Sequence, residues 1–362
     1  MELEFRYGSD TLPNVMGLSV GGAQSDGGRG TEREMSLEAV STPASRSLSL
    51  LEPTVFHEPW WLDAATQGSY EEVTFSLGGQ TVGRLPYLRK QRMGMTACEL
   101  PDLTHFLGPA IDEGAGGVGT RTLRRMQITR ELIRQLPKSD YFLQRFHRGI
   151  PDTLTFLNEG FRTDVLFTYE LTPAPEKTIW QGMRDKTRNI IRRAEEQTEL
   201  IDLDPAEFSQ LYDANLAARG LVNHSFTHQS GAAVFRAAIE RGRGRLLGAK
   251  TKAGRLTAGI FYAWDREVTY CVLTTRAPDA HNGAISRLIW EAIRDSVAQG
   301  RIFDFDGVIE STILLYVGFG GQVRPRFNVH RASLKYAALR NGYMFARDTV
   351  RKIRGRDNPA AG

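Results

Sequence analysis

The order of elements along the chain predicts an α/β (α+β) protein made of two similar halves, each a mixed, mainly antiparallel sheet with flanking helices. Three observations carry this. Two hairpin signals, Gly78-Gly79 and Ala253-Gly254, stand between β-rich runs, and glycine there supplies the positive φ angles of a tight hairpin. Each hairpin is followed by the same succession of strand, polar loop, amphipathic helix, strand and short helix, ending in Gly160-Phe161 or Gly318-Phe319 before a further strand. A repeated supersecondary order of this kind points to internal duplication.

In chain order, 362 residues at 41% hydrophobic and 24% charged composition provide core enough for two domains. Residues 1–50 are rich in Gly, Ser and Thr without a period of 2 or 3.6, which reads as a flexible extension. Order begins at VFHEPWW (55–61), where Pro59 suits the first turn of a helix. The first half then runs through strands at 72–77 and 81–89, an apolar stretch from Leu103 to Ile111, a glycine loop at 114–119, and a helix from about Thr122 to Leu136. Strands at 141–146 and 160–170 flank a short helix at 151–158. The second half repeats this with strands at 246–251, 255–264 and 268–275, a helix from Ala284 to Ala298, a strand from Ile302 to Asp306, a short helix at 313–316 and a strand at 323–329. Residues 351–362 read as a solvated basic tail.

The net charge of +4 permits an anionic ligand or nucleic acid but is far below what a dedicated nucleic-acid binder usually shows, and no DNA partner is expected. Cys98 and Cys271 stand alone, which supports neither a disulfide framework nor a thiolate metal site. No apolar run of eighteen residues and no signal-peptide plan is present, so a cytoplasmic protein without stable membrane insertion is expected. Gly114, Gly116 and Gly119 spell GxGxxG without a clean preceding strand, and the loop reads as a connector. His224 and His228 lack a third metal ligand in view.

Thr178 to Gln197 reads as one amphipathic helix, with Trp180, Met183, Thr187, Ile190, Ile191 and Ala194 on its apolar stripe. Its other face carries Arg184, Lys186, Arg188, Arg192 and Arg193. Like charges at i,i+4 cost about a few tenths of a kcal/mol each unless something anionic answers them. Arginine forks suit phosphate or carboxylate.

VFHEPWW, WQGMRDKTRNIIRRAEEQ (180–197), FDFDG (303–307) and LLYVGFGG (314–321) together resemble the Fem-type branch of the GNAT acyltransferase superfamily, over about residues 51–345. The resemblance implies two tandem GNAT-like domains, at 51–172 and 173–328, with a C-terminal helix at 329–350 returning to the first. It implies amide formation by transfer of an acyl group from acyl-CoA, or of an aminoacyl group from charged tRNA, to an amine. It also implies that Lys186, Arg188 and Arg192 serve acceptor phosphates. The chain departs from the peptidoglycan-bridge members in having no lysine before Gly318-Phe319, and it lacks the helical arm some Fem enzymes use for tRNA. Both departures favour a thioester donor.

Acyl transfer to an amine needs a proton acceptor and donors for the developing oxyanion. Asp304 and Asp306 lie two apart on a strand and so share a face. Asp306 is the first choice for the amine-facing carboxylate and Asp304 the second, with Glu310 a third; the alternative for either aspartate is a cap on the turn at Gly307. Tyr316 is the candidate oxyanion donor. Thr274, Thr275, Asn282, Gly283 and Ser286 bracket the entry to the long helix, whose N-terminus suits the donor's pyrophosphate. Arg219, Asn223 and His224 are expected in the acceptor pocket. The expected reaction needs no tightly bound cofactor or metal, only acyl-CoA, or aminoacyl-tRNA, as co-substrate. The rival readings are a tRNA-dependent aminoacyltransferase and a non-catalytic module holding an anionic ligand.

Overall fold

The computed structural model describes residues 50–342 apart from 93, 282, 308 and 309. The expected N-terminal extension (except its last residue), the basic tail and Asn282 therefore lie outside the described residues. Residues 47–337 form one compact unit; the other takes in 1–46 and 338–362, of which 338–342, the end of a helix over 334–342, are described.

A 3-10 turn (Val55–His57) leads into α1 (Pro59–Thr66), which opens on Pro59. β1 (Glu71–Leu77) and β2 (Gln80–Arg92) form the expected hairpin, closed at Leu77↔Gln80 with Gly78 at φ 57° and Gly79 at φ 78°. Two successive positive φ angles are what glycine permits without strain. β3 (Met95–Glu99), β4 (Ala110–Ile111), α2 (Val118–Gln135), β5 (Tyr141–Arg145), α3 (Leu154–Asn158) and β6 (Arg162–Leu171) complete the first half. Next come α4 (Glu176–Gly182), α5 (Asp185–Gln197), β7 (Thr198–Asp202), α6 (Pro205–Ala217) and α7 (His228–Glu240). The second hairpin, β8 (Gly244–Thr251) with β9 (Leu256–Trp264), leads to β10 (Val268–Arg276), α8 (Ala284–Ala298) and β11 (Ile302–Gly307). α9 (Glu310–Tyr316), a 3-10 turn (Val317–Phe319) and β12 (Gln322–Ala332) follow.

The strands form one mixed sheet in the order β1-β2-β3-β5-β12-β6-β11-β10-β9-β8-β7, with β4 on β2. Antiparallel pairing dominates. The parallel pairs among the named strands are β3–β5 and β10–β11, one in each half. β12 sits between β5 and β6, so 329–332, expected to begin the C-terminal helix, are strand instead. Alternating Val329 and Phe327 toward the first-half core holds them there.

Three apolar clusters fill the layers. One joins the first-half sheet to α2 and α3 through Leu85, Ile128, Phe142 and Phe156. A second joins the second-half sheet to α8 and the 3-10 turn after α9 through Leu288, Ile293, Phe305 and Phe319. The third packs Phe56 and Trp61, from the start of the first half, against Phe208, Phe235 and Phe261 of the second. The halves thus share a core, which explains their single compact unit.

The basic helix is two helices, not one. Met183 and Arg184 are extended between α4 and α5, because the Arg184 N–H donates to Gly318 O at 3.0 Å rather than back into the helix. The break leaves the last carbonyls of α4 without helical partners. Arg188 supplies them, donating to Trp180 O, Gln181 O and Met183 O. α6 and α7, which the sequence left unassigned, start at capping boxes: Asp204 with Glu207, and Thr227 with Ser230.

Candidate functional site

β10 and β11 run parallel only from Val268↔Ile302 to Tyr270↔Asp304; β10 continues to Arg276 with no strand among the described residues on that edge. The carboxyl ends of a diverging parallel pair form a crevice, and in α/β sheets such crevices receive ligands. At its mouth the two expected aspartates behave differently. Asp304 is 1% exposed. Its Oδ1 accepts from the Asp306 N–H (2.8 Å) and lies against the Thr168 hydroxyl, which also reaches the carbonyl of Asp306; its Oδ2 faces Arg326 Nη2 at 3.3 Å. Burial pushes its carboxyl up to about 6, against the pull of Arg326 and Thr168. Both oxygens are committed, so Asp304 is not available to an incoming amine as expected for it.

Asp306 is half-buried and takes φ 67°, left-handed for a non-glycine residue, so the strict alternation expected from the strand ends there. Its Oδ2 lies 2.9 Å from Nδ1 of His105, a residue of the first half. The ring nitrogen is off the line of a straight hydrogen bond, as such pairs commonly are before substrate tightens them. Burial raises the Asp306 carboxyl, but the charge and hydrogen bonding of His105, then Arg145 and the Gly307 N–H, outweigh it and hold it below the usual carboxylate range.

Tyr316 stands on the other wall, its ring 5.0 Å from Phe305. Burial raises its hydroxyl, helped by nearby Cys271 and Asp306 and opposed by a hydrogen bond with Thr312. The structure therefore brings Asp306 and Tyr316 together. Glu310 opens α9, and its side chain is outside the described residues. Behind Asp304, Arg326 pairs with Glu170, which also faces Arg148 at 3.5 Å and Arg324 at 3.9 Å. A buried carboxylate–guanidinium network of this kind fixes geometry more than it adds stability.

The expected binding residues distribute unevenly. Thr274 is exposed on β10, and Thr275, buried beside it, accepts from Asn215. Arg219 donates to Arg276 O, so it too reaches the diverging end of β10. Asn223 instead holds its own loop, donating to Asp213 and accepting from Ser225 N and Phe226 N, while His228 pairs with Asp213 at 3.2 Å. His224 is placed in that loop. At the N-terminus of α8, Ser286 is buried, the Gly283 N–H donates to His281 Nδ1, and a Cβ at 283 would lie 2.6 Å from Ile190 O. Glycine is needed there because α5 crosses so closely. α5 thus spans from Gly283 to Gly318, whose missing Cβ makes room for Thr187. On its outer face Lys186 is exposed and Arg192 lies over the Trp180 ring at 5.5 Å, with Asn189 as a polar partner. Arg188 is turned to the carbonyls around the end of α4 and to Asp185, which take its two Nη atoms.

Sequence reasoning missed His105, Thr168, Glu170 and Arg326. The only local hint was a histidine inside the apolar stretch at 103–111. Among the described residues no group of side chains could hold a metal ion, and no helix is long and apolar enough to cross a membrane.

With this geometry in place, residues 181–311 match the family model described as an acetyltransferase (GNAT) domain. The match covers most of the second half, which is thus similar to a GNAT domain. Among solved structures, FemX superposes with a TM-score of 0.57 at 10% identity, covering 81% of this chain and 97% of that one. L-PGS from Bacillus licheniformis gives 0.51 at 10% identity, covering 86% and 97%. No curated protein sequence matches. The mixed α/β fold is thus similar to that of FemX and L-PGS.

Proposed function

We propose that this GNAT protein is an N-acyltransferase that forms an amide by moving an acyl group from acyl-CoA or a related thioester to an amine. The observation that carries this reading is the crevice beyond Tyr270↔Asp304, with Asp306 and Tyr316 at its mouth. The edge of β10 that loses β11 offers backbone groups on which an extended thioester arm could pair. There the amine nitrogen attacks the carbonyl carbon, its proton leaves to a base, and the C–S bond breaks as the thiolate is protonated. Tyr316 and backbone N–H groups of β10 stabilise the oxyanion in between. In this reading Lys186, Arg192 and Arg219 attract the anionic parts of the substrates, and 51–172 and 173–328 are the tandem domains. The protein works in the cytoplasm on a small-molecule amine without a resident cofactor, DNA or membrane insertion.

A second reading, a charged tRNA as donor, follows from the sequence motifs' resemblance to the Fem-type branch. Salt separates the two, because tRNA binding weakens steeply as counterions compete. The test is thiol release from acetyl-CoA with a panel of primary amines, beside amide formation from aminoacyl-tRNA, each from 50 to 300 mM salt. Amine-dependent thiol release nearly independent of salt supports the thioester reading. Turnover with aminoacyl-tRNA alone, collapsing with salt, would replace it.

A further inference from the structure

Resting on that reading, we infer that His105, delivered from the first half, is the general base of the second half's crevice, and that Asp306 is the carboxylate that orients it. This reverses the role expected for Asp306. Four features of the fold support it.

The geometry is that of a carboxylate–imidazole pair: Asp306 Oδ2 faces Nδ1 at 2.9 Å. A carboxylate at Nδ1 keeps the proton there and leaves Nε2 with its lone pair. Nε2 has no hydrogen-bond partner among the described residues, and the side chain retains 15% of its surface. One nitrogen therefore faces the carboxylate, and the other has no partner among the described residues.

The segment bearing His105 is immobilised from several sides. Trp61 Nε1 donates to Thr104 at 3.1 Å, and Asp102 accepts from Ser230. Gly108 N donates to Gln144, and Gly108 O lies 3.3 Å from His57 Nε2. Phe56 stacks on the imidazole at 5.8 Å and 24°. The VFHEPWW motif thus acts, through Phe56, His57 and Trp61, largely on this one loop. A catalytic group needs such support because small displacements lose large factors in rate.

Backbone strain concentrates here. Three described non-glycine residues take positive φ: Gln67, at the end of α1, Leu103, and Asp306. Leu103 lies two residues before His105 and Asp306 is its partner. For a branched apolar residue this conformation costs on the order of 1–3 kcal/mol and persists where surrounding structure imposes it, commonly at functional sites.

Asp306 itself is poorly suited to accept a proton, since His105 and Arg145 already stabilise its charge. Asp304 is sealed. In the proposed step the amine N–H proton passes to His105 Nε2 as the C–N bond forms; the imidazolium, stabilised by Asp306, then returns a proton to the departing thiolate.

The experiment has two arms on the full chain. In the first, 15N-labelled histidine spectra of the wild type at neutral pH, assigned with His105→Asn, should show the Nδ1–H tautomer at His105. Asp306→Asn should move it toward Nε2–H. An Nε2–H tautomer in the wild type, or one indifferent to Asp306→Asn, overturns the pair, whether or not acetyl-CoA is the donor. In the second arm, with acetyl-CoA and the best amine found, His105→Asn should lower kcat about 10²- to 10⁴-fold with a near-normal KM for acetyl-CoA, and imidazole should partly rescue His105→Ala. Turnover of folded His105→Asn within about threefold of wild type overturns the base assignment. Thiol release absent even from the wild type falls on the thioester reading instead, while the tautomer still decides the pair.

Discussion

The two parallel strand pairs are the same device used in opposite ways. β3 and β5 pair through Ala97↔Tyr141 and Cys98↔Phe142, just as β10 and β11 pair as far as Tyr270↔Asp304. Two residues past the last pair stands Gln144 in the first half and Asp306 in the second. In the first half the gap beyond is filled with chain. Leu107 bridges Phe146, with Leu107 N donating to Arg145 O at 2.7 Å and His147 N to Leu107 O at 3.0 Å. Gln144, fully buried, clasps Gly108 N and Pro86 O. His57 and His147 pack ring to ring at 5.1 Å behind it. In the second half no strand among the described residues fills the gap, and the corresponding Asp306 is half-buried beside His105. The segment that plugs the first crevice is the one that carries His105 to the second. One half has become a scaffold and the other retains a crevice.

The largest expected effect would break this contrast at its two matched positions. Asp306→Asn should lower kcat about 10²- to 10⁴-fold with little change in melting temperature. Gln144→Ala should do the reverse in kind, leaving two buried backbone groups unsatisfied at about 1–3 kcal/mol each. Thermal melts and saturating kinetics on both variants check it; equal kinetic damage without loss of stability at Gln144 would mean the first crevice also does chemistry.

The plugged crevice should also be the acid-sensitive one. Burial, then contact between the rings and Arg84, lowers His57 well below its ordinary value, and burial takes His147 to about 4. A histidine whose folded value is depressed takes up its proton more readily when unfolded. Its contribution to stability is therefore present above about pH 6.5 and is lost as pH falls toward 4, amounting to ~3 kcal/mol for His147 at most. Equilibrium unfolding between pH 7 and 4 should show that slope, and His147→Gln should flatten it. In the open crevice Tyr316→Phe should lower kcat about tenfold to a hundredfold, since its hydroxyl is one of several oxyanion donors; stability should barely move.

How much of this was legible in the sequence follows from the range of each interaction. The Gly78-Gly79 hairpin and α8 are local facts, set by φ and by the 3.6-residue period of Ile285, Leu288, Ile289, Ala292 and Ile293, and both stand as expected. The order hairpin, helix, parallel strand could be read twice because each step is local. The join of the halves could not, since it depends on β12 crossing to lie between β5 and β6. His105 meets Asp306 only because the first crevice is plugged. Nothing within ten residues of His105 signals a carboxylate partner. The pattern of alternating residues marks Asp306 as a strand residue, but its backbone departs from strand geometry through Gly307 and the Thr168 contact, which alternation alone does not reveal. α6 and α7 were legible and overlooked: Asp204-Pro205 with Glu207 is a capping box in plain sequence.

The smallest effect concerns the basic helix, where the comparison extends from crevices to cations. Arg188 and Lys186 sit on the same helix two residues apart, yet only one is turned inward. Arg188 gives its Nη1 to the carbonyls of Trp180 and Gln181 in the last turn of α4 and of Met183 just past it, and its Nη2 to Asp185. Lys186 is exposed. Removing Arg188 leaves helix-terminal carbonyls that solvent can partly reach, so Arg188→Ala should cost about 1–2 kcal/mol, with the acceptor KM nearly unchanged. Lys186→Ala should leave the melting temperature within error and raise the KM of an anionic substrate severalfold at low salt, an effect that fades as screening shortens to about 8 Å at physiological ionic strength. Melting temperatures and KM at 20 and 150 mM salt separate the two. A KM effect at Arg188 exceeding that at Lys186 would mean that Arg188 leaves the carbonyls of α4 when substrate binds, and that the break at Met183 opens with it.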